Sequence, residues 1–433
     1  MSGGDRGTVL VAYCALQWPW RKTIEDHLYS FRRYGNADYL YVNLAVPWLA
    51  NAYFPLRFDA VVWHTTFLAW ARWLPIEQRR GVMKRARRLA GRARRQVALP
   101  QDEFIGTRGI SRLLGELGVD HVFSVAPESE WPLLYEDLDR ERAGFSRVLT
   151  GYLDPDTVRR IDAILAEGRE RRIDIGYRTG PPKPYLGRHA MLKTEIADVV
   201  RERAEARGLR LDISTRADDT LLGDDWYRWL ASCRYTIGVE GGASVLDRDG
   251  SIKACTDRRQ TERPDITFEE LEAACFPGED GKLALQAISP RHLEACATRT
   301  PQILVEGEYN GVLEPERHYV PLRRDFSNLD EVLDRVAAGD GEEIAAAAHA
   351  DVVASGSWTY ARLVEDVERA LPAVERRPAA AAVRAASRAA DSVSKPLLPL
   401  ASEVIMPVRR RLYGALGLRG YRRERPPARS AGS

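Results

Sequence analysis

Apolar and polar positions alternate along this chain between two periods. Short apolar runs fall at residues 8–16 (TVLVAYCAL), 38–44, 58–67 and 95–104, then at 120–131 (DHVFSVAPESEW). Between them lie stretches with apolar residues three and four apart, at 23–34, 79–95 and 108–117. The first pattern predicts buried strands and the second amphipathic helices. A linker with a helix at about 147–171 separates this series from another. The second series has runs at 173–178 (IDIGYR), 208–214, 234–242, 301–307 and 317–322, with helical spacing at 193–207, 224–232, 268–275 and 291–297. Strands that alternate with helices in this way predict parallel, doubly wound sheets. The expected fold is α/β: two consecutive Rossmann-like domains, at 1–170 and 171–345, that face a cleft. A closing helix is expected within 346–372. Residues 373–433 form a tail of Ala, Arg and Pro, expected to be partly disordered or to lie on a membrane surface.

Composition adds to this picture. The chain has 433 residues, 45% hydrophobic and 29% charged, which suits a soluble protein with two cores. The net charge of +2 hides an asymmetry: residues 376–433 hold thirteen Lys/Arg and three Asp/Glu, so the body is acidic. A second basic block, RRGVMKRARRLAGRARR at 79–95, holds nine basic residues and no acid. It reads as a helix that could attract a phosphorylated acceptor or an anionic membrane. This block carries no interleaved aromatics, and no known nucleic-acid module is present, so nucleic acid is not expected as a partner. The five cysteines (Cys14, Cys233, Cys255, Cys275 and Cys296) form no CxxC pair. With no signal-like N-terminus they are expected as reduced thiols in the cytoplasm, with the protein peripheral at most at the inner face of the membrane. No run of eighteen apolar residues predicts a spanning helix.

In open parallel sheets, ligands sit beyond the carboxyl ends of the strands. The residues there are His64, Gln101, Asp102, Glu103 and Glu128 in the first series. In the second they are Arg178, Glu240, Gly241, Gly242 and the turn from Ser289 through Arg291 to Glu294. Several chemistries lack their motifs: there is no GxxxxGK[ST] phosphate loop, no GxGxxG after the first strand and no GxSxG elbow. No His/Cys spacing suits a metal, and neither a metal nor a cofactor is expected.

The stretch SPRHLEACATRTPQILVEGEYNG, residues 289–311, resembles the donor-site signature of group 1 glycosyltransferases of the GT-B fold, a retaining-type family. The wording YTIGVEGGASVLDRDGSI is similar to a bacterial subgroup akin to the spore-maturation type. In that family a pattern like LEAxAxGxPVI opens a helix, and its glutamate accepts hydrogen bonds from the ribose of a nucleotide sugar. The resemblance places this role on Glu294. A glutamate often stands eight residues earlier in the family; here the residue is Gln286. VVWHTT resembles the family's histidine that faces the donor sugar, which implies His64. IDIGYR resembles the start of the family's second domain, where an Arg and a Lys neutralise the diphosphate. That implies Arg178 with one of Lys183, Arg188 or Lys193. Ser289, Arg291, Glu240, Gly241 and Gly242 complete the implied donor site, the glycines by letting backbone amides approach a phosphate.

The implied activity is transfer of a sugar from a nucleotide-sugar donor to a hydroxyl of a glycan, lipid-linked or small-molecule acceptor. The leaving diphosphate develops charge, which cations or a helix N-terminus can neutralise without a metal. If the reaction inverts configuration, Asp102, Glu103 or Glu128 is the candidate base for the acceptor hydroxyl. Two other readings share the fold: a nucleotide-sugar epimerase, and a catalytically silent, membrane-attached binding subunit.

Overall fold

The computed structural model describes residues 7–15, 20–73, 76–168, 170–181, 183–371 and 381–400. It holds two parallel sheets. The first contains β1 (Thr8–Tyr13), β2 (Asp38–Asn43), β3 (Phe58–Trp63), β4 (Ala93–Ala98), β5 (His121–Ser124) and β6 (Gly144–Arg147), in the order β2-β1-β3-β4-β5-β6. The strand period explains why this sheet is covered on both faces. In β1, Leu10 and Ala12 enter one apolar cluster, and Val9, Val11 and Tyr13 enter another on the opposite face.

The second sheet comprises β7 (Ile173–Arg178), β8 (Leu211–Ser214), β9 (Cys233–Gly238), β12 (Gln302–Val305) and β13 (Val320–Leu322), in the order β13-β12-β9-β7-β8. Between β9 and β12 the chain makes a short antiparallel ribbon, β10 (Gly241–Ala243) with β11 (Leu285–Ala287). Ala243, Leu246, Leu283 and Leu285 from this insert join the core of the first domain. The helix Tyr360–Ala370 returns to the first domain, where Leu363, Val364 and Val367 complete the core on the second face of its sheet. Two Rossmann-like sheets are the layout that the sequence pattern predicts, and with the returning helix they form the GT-B fold that the family resemblance implies. The helix Pro155–Leu165 packs with the second domain, through Ile161 and Ile164 against Tyr227 and Leu293.

Three expectations change. Cys255 and Cys275 are joined by a disulfide and only Cys14, Cys233 and Cys296 are free, whereas five reduced thiols were expected. The helices Ser251–Glu262 and Phe268–Cys275 bring these two cysteines together across 20 residues, a spacing that no short motif marks. The start of the tail is not loose: Ala381–Leu400 is a helix that lies against β2. Its Asp391 accepts from the hydroxyls of Tyr13 (3.0 Å) and Tyr29 (2.9 Å), and Arg384 pairs with Asp38 (2.8 Å). Residues 401–433, with the stretch VRRRLYGALGLRGYRR, lie outside the described residues. The basic block is helical only as far as Ala90, and several of its charges are used within the domain. Arg85 donates to the carbonyl of Leu44, Arg87 pairs with Glu116, Arg88 covers the ring of Phe54 and Arg95 pairs with Asp120. No helix among the described residues is long and apolar enough to cross a membrane.

Candidate functional site

The carboxyl ends of the two sheets meet through named contacts. The loop after β4 pairs with the insert: Gly106 donates to the carbonyl of Asp247 (2.7 Å), and Asp247 donates to that of Phe104 (2.8 Å). Beyond β6, the hydroxyl of Thr150 donates to the carbonyl of Ile288 (2.6 Å), one residue before Ser289.

Between these contacts lies a group of cations. Lys193 projects from the first turns of the helix Arg188–Glu205. Burial and the neighbouring Arg291 hold its amine below the usual lysine range, and Asp102 from the first domain pulls it back up. His189, one turn earlier, is held near 4 by burial and by Arg324 and Lys193. Neither Lys193 nor Arg291 has a carboxylate in salt-bridge contact among the described residues; Arg291 donates to the carbonyl of Arg178. Two cations left unpaired at a domain boundary suit an anionic ligand. The N-terminal amides of this helix do not contribute, since Arg188 donates to Asp280 and His189 to Ser244.

Asp102 sits in left-handed backbone (φ 53°) with an exposed carboxylate. The guanidinium of Arg72 donates to the carbonyls of Gln101 and Asp102 and so secures this turn. Strain that the surroundings hold in place at a charged cleft residue is a common feature of working sites. Its neighbour Glu103 does not share the cleft. Glu103 is buried and accepts from Ser124, Tyr135 and the backbone of Val125, so it braces the interior of the first domain and is no candidate base. Glu128 is exposed at the start of a short turn, Glu128–Glu130.

Glu294 is the fifth residue of the helix Pro290–Ala297, one turn in, not at its start as the sequence suggested. Ser289 caps the helix, accepting from the amide of Arg291. Glu294 Oε2 accepts from the indole of Trp226 (2.8 Å), and Trp226 stacks on Trp229. Burial raises the carboxyl of Glu294 to about 7, against the opposing pull of Trp226 and Arg291. The guanidinium of Arg291 lies 5.4 Å above the Trp226 ring. Glu294, Trp226, Arg291 and Lys193 are therefore one connected group.

Other expected residues are placed differently. Arg178 is engaged by Asp212 through both carboxylate oxygens (2.6 and 2.7 Å) and covers Trp229, so its charge is already spent within the second domain. Arg188 is spent on Glu269, Glu272 and Asp280 at the surface, and Lys183 is exposed. Glu240 is buried and accepts from the amides of Tyr309 (2.7 Å) and Glu308 (3.3 Å), which fixes the loop after β12. Gly241 and Gly242 pair with Ala287 and Gln286 in the ribbon and offer no free phosphate cradle. His64 is fully buried. Its Nδ1 accepts from the amide of Thr66, so its Nε2 carries the proton and donates to His27 Nδ1 (2.8 Å). It faces no open surface.

Sequence reasoning missed Trp226, Asp212, His189, His27 and Arg72. Only Trp226 left a signal: in DDWYRW two tryptophans stand three apart on one helix. Among the described residues, no group of three or more His, Cys, Asp or Glu is placed to hold a metal.

No protein-family model matches the chain, and no curated protein matches it. Among solved structures it is similar to Alr3699/HepE of Anabaena in complex with UDP-glucose: 8% identity, 85% of this chain, 100% of that one, TM-score 0.45. It is also similar to AviGT4, a glycosyltransferase involved in avilamycin A biosynthesis, at 12% identity over 84% and 97% of the two chains, TM-score 0.41.

Proposed function

We propose that the protein transfers a sugar from a nucleotide-sugar donor to a hydroxyl of a glycan, lipid-linked or small-molecule acceptor. The observation that supports this reading is the meeting of Lys193 and Arg291, two cations with no salt bridge to a carboxylate among the described residues, with Asp102 of the facing domain. Departure of a nucleoside diphosphate places growing negative charge on its leaving oxygen. Lys193 and Arg291 stand where they can stabilise that charge, and the partial burial of Lys193 makes its interaction stronger than in water. Glu294 with Trp226 would hold the nucleoside, the free oxygen Oε1 accepting from a ribose hydroxyl. If the anomeric configuration inverts, Asp102 takes the proton of the acceptor hydroxyl as its oxygen bonds to the anomeric carbon and the diphosphate leaves. A retaining outcome would leave Asp102 an electrostatic role only. The basic tail is proposed to meet an anionic surface; liposome binding lost on removal of residues 373–433 would support that.

A thermal-shift panel of UDP, GDP, TDP, CDP and ADP, with and without magnesium, tests the donor site on wild type and Glu294→Ala. A ligand that binds only the folded state raises the melting temperature as its concentration exceeds Kd. One nucleotide should stabilise the wild type without magnesium and not the variant. Absence of any shift would overturn the reading and favour a silent binding subunit. Conversion of the donor to its epimer without acceptor would favour an epimerase.

A further inference from the structure

Trp48 is 60% exposed, the one exposed aromatic among the described side chains. It stands in the first turn of the helix Pro47–Ala52, which follows β2. A single exposed apolar side chain is ordinary, so its surroundings decide what it means. The helix packs against the helix Ile76–Ala90. From that second helix Arg85 donates to the carbonyl of Leu44, and the guanidinium of Arg88 lies 4.1 Å from the centre of the Phe54 ring.

Val82, Met83, Ala86 and Leu89 turn one side of the second helix into the core. Arg80, Lys84 and Arg88 recur every fourth residue on the other side, and all three are exposed. Arg80 and Lys84 have no salt bridge among the described residues. Arg87, which pairs with Glu116, lies on a different flank. Residues 44–58 contain no Asp or Glu, and the helix Ile76–Ala90 contains one, Glu77 in its first turn. Surfaces that only face water intersperse the two signs of charge. The position of this face also matters. Arg85 meets Leu44 just past the end of β2, and from there the helix runs on toward the start of β4. Its earlier turns, with Arg80 and Lys84, therefore stand on the carboxyl side of the sheet, as Trp48 and Asp102 do.

We propose that this face docks on an anionic lipid bilayer. The cations meet the headgroups, and the indole enters the boundary layer with its apolar body toward the acyl chains and its N–H toward water. A soluble polyanion would engage the cations and leave the indole idle. Docking in this way turns the cleft side of the first domain toward the bilayer and selects the lipid-linked class among the acceptors. That selection rests on the glycosyl-transfer reading; docking does not.

Sedimentation of the full chain with phosphatidylcholine vesicles, with and without phosphatidylglycerol, tests this on wild type, on Trp48→Ser and on the double substitution Arg80→Gln, Lys84→Gln. All three side chains are exposed, so both variants should melt as wild type does. Wild type should partition at least about tenfold more strongly onto the vesicles with phosphatidylglycerol. The double substitution should lose about twentyfold there, roughly fivefold per cation, and Trp48→Ser about tenfold. Equal partition of all three proteins overturns the face, as does a wild type with no preference for the anionic vesicles. Full partition of Trp48→Ser beside a weakened double variant overturns the bilayer in favour of soluble polyanions. The expected pattern in a protein with no nucleotide shift would overturn the transfer reading alone. A nucleotide shift without that pattern would overturn this face alone.

Discussion

The indole N–H of Trp226 donates to Glu294 Oε2 at 2.8 Å, so one of the two oxygens of this carboxylate is already oriented before any ligand arrives. The bond holds the side chain against the stacked Trp226–Trp229 pair, and burial there raises the carboxyl to about 7.

Nucleotide binding should therefore depend on pH through this group. Ribose hydroxyls donate to the ionised carboxylate, so affinity for a nucleotide sugar should rise as pH passes upward through about 7. Between pH 6 and pH 8 the ionised fraction grows about tenfold, and Kd should fall by up to that factor. A nucleotide-sugar diester is the right probe, because its phosphates do not titrate in this range. Stability moves the other way. The folded-state value lies above the ordinary 4.5, so the stabilising contribution is present below that pH and is lost as pH rises to about 7. Glu294→Gln should flatten both profiles; a pH-independent Kd in the wild type would separate Glu294 from the ligand.

Asp102 should show opposite effects on stability and turnover. Its left-handed backbone suits glycine, so Asp102→Gly should leave the fold as stable as wild type or raise it by about 1 kcal/mol in urea titrations. Asp102→Asn and Asp102→Gly should both lower the transfer rate by about 10² to 10⁴ if the product is inverted, with nucleotide affinity changed far less. Glu103→Gln should instead destabilise, since it disturbs a buried carboxylate with three donors. Loss of turnover in Glu103→Gln at full stability would reverse the roles given to these neighbours.

The two sheets could be read from the sequence because their strands are covered on both faces and appear as plain apolar runs, as in VLVAY and ILV. β6 was missed: GFSR is an edge strand with partly exposed side chains and no apolar run. β10 and β11 were missed because each has three residues, and β10 is Gly-Gly-Ala. Strand ends located the site only coarsely. Asp102 and Glu103 are neighbours in sequence, yet one faces the cleft and the other the core, since adjacent side chains diverge. The Arg178–Asp212 pair joins strands 34 residues apart, and no local pattern reports that an arginine is already spent. Lys193 was only one of three candidate cations; the carboxylate contacts of Arg188 and the exposure of Lys183 separate them.

Thiol labelling follows from the cysteine arrangement. Cys14, Cys233 and Cys296 are buried, and burial raises their thiols, to about 12 for Cys233 and Cys296. Thiolates are the reactive form, so these three should resist a disulfide reagent in the native state. Protein kept oxidised should label at no site until denatured, when three thiols react. Mild reduction should expose two more, at Cys255 and Cys275, without unfolding either sheet, because both lie in the helical insert. Rapid native labelling at any of the three buried positions would contradict this packing.

The glycine pair of the ribbon separates a packing role from a ligand role. A Cβ on Gly242 would meet the carbonyl oxygen of Leu285 at 1.9 Å, at a φ of +126° that other residues rarely adopt. A Cβ on Gly241 would come no closer than 3.6 Å to the Ala287 carbonyl, an ordinary contact. Gly242→Ala should therefore cost about 2–4 kcal/mol, because neither the backbone of β11 nor the dihedral can yield cheaply. The loss should spread to the first domain, where Ala243 and Leu285 share its core. Gly241→Ala should cost less than about 1 kcal/mol and leave nucleotide affinity intact. Should Gly241→Ala instead keep its stability and lose nucleotide binding, the backbone at this glycine approaches the ligand directly, and the phosphate role that the sequence first suggested would return.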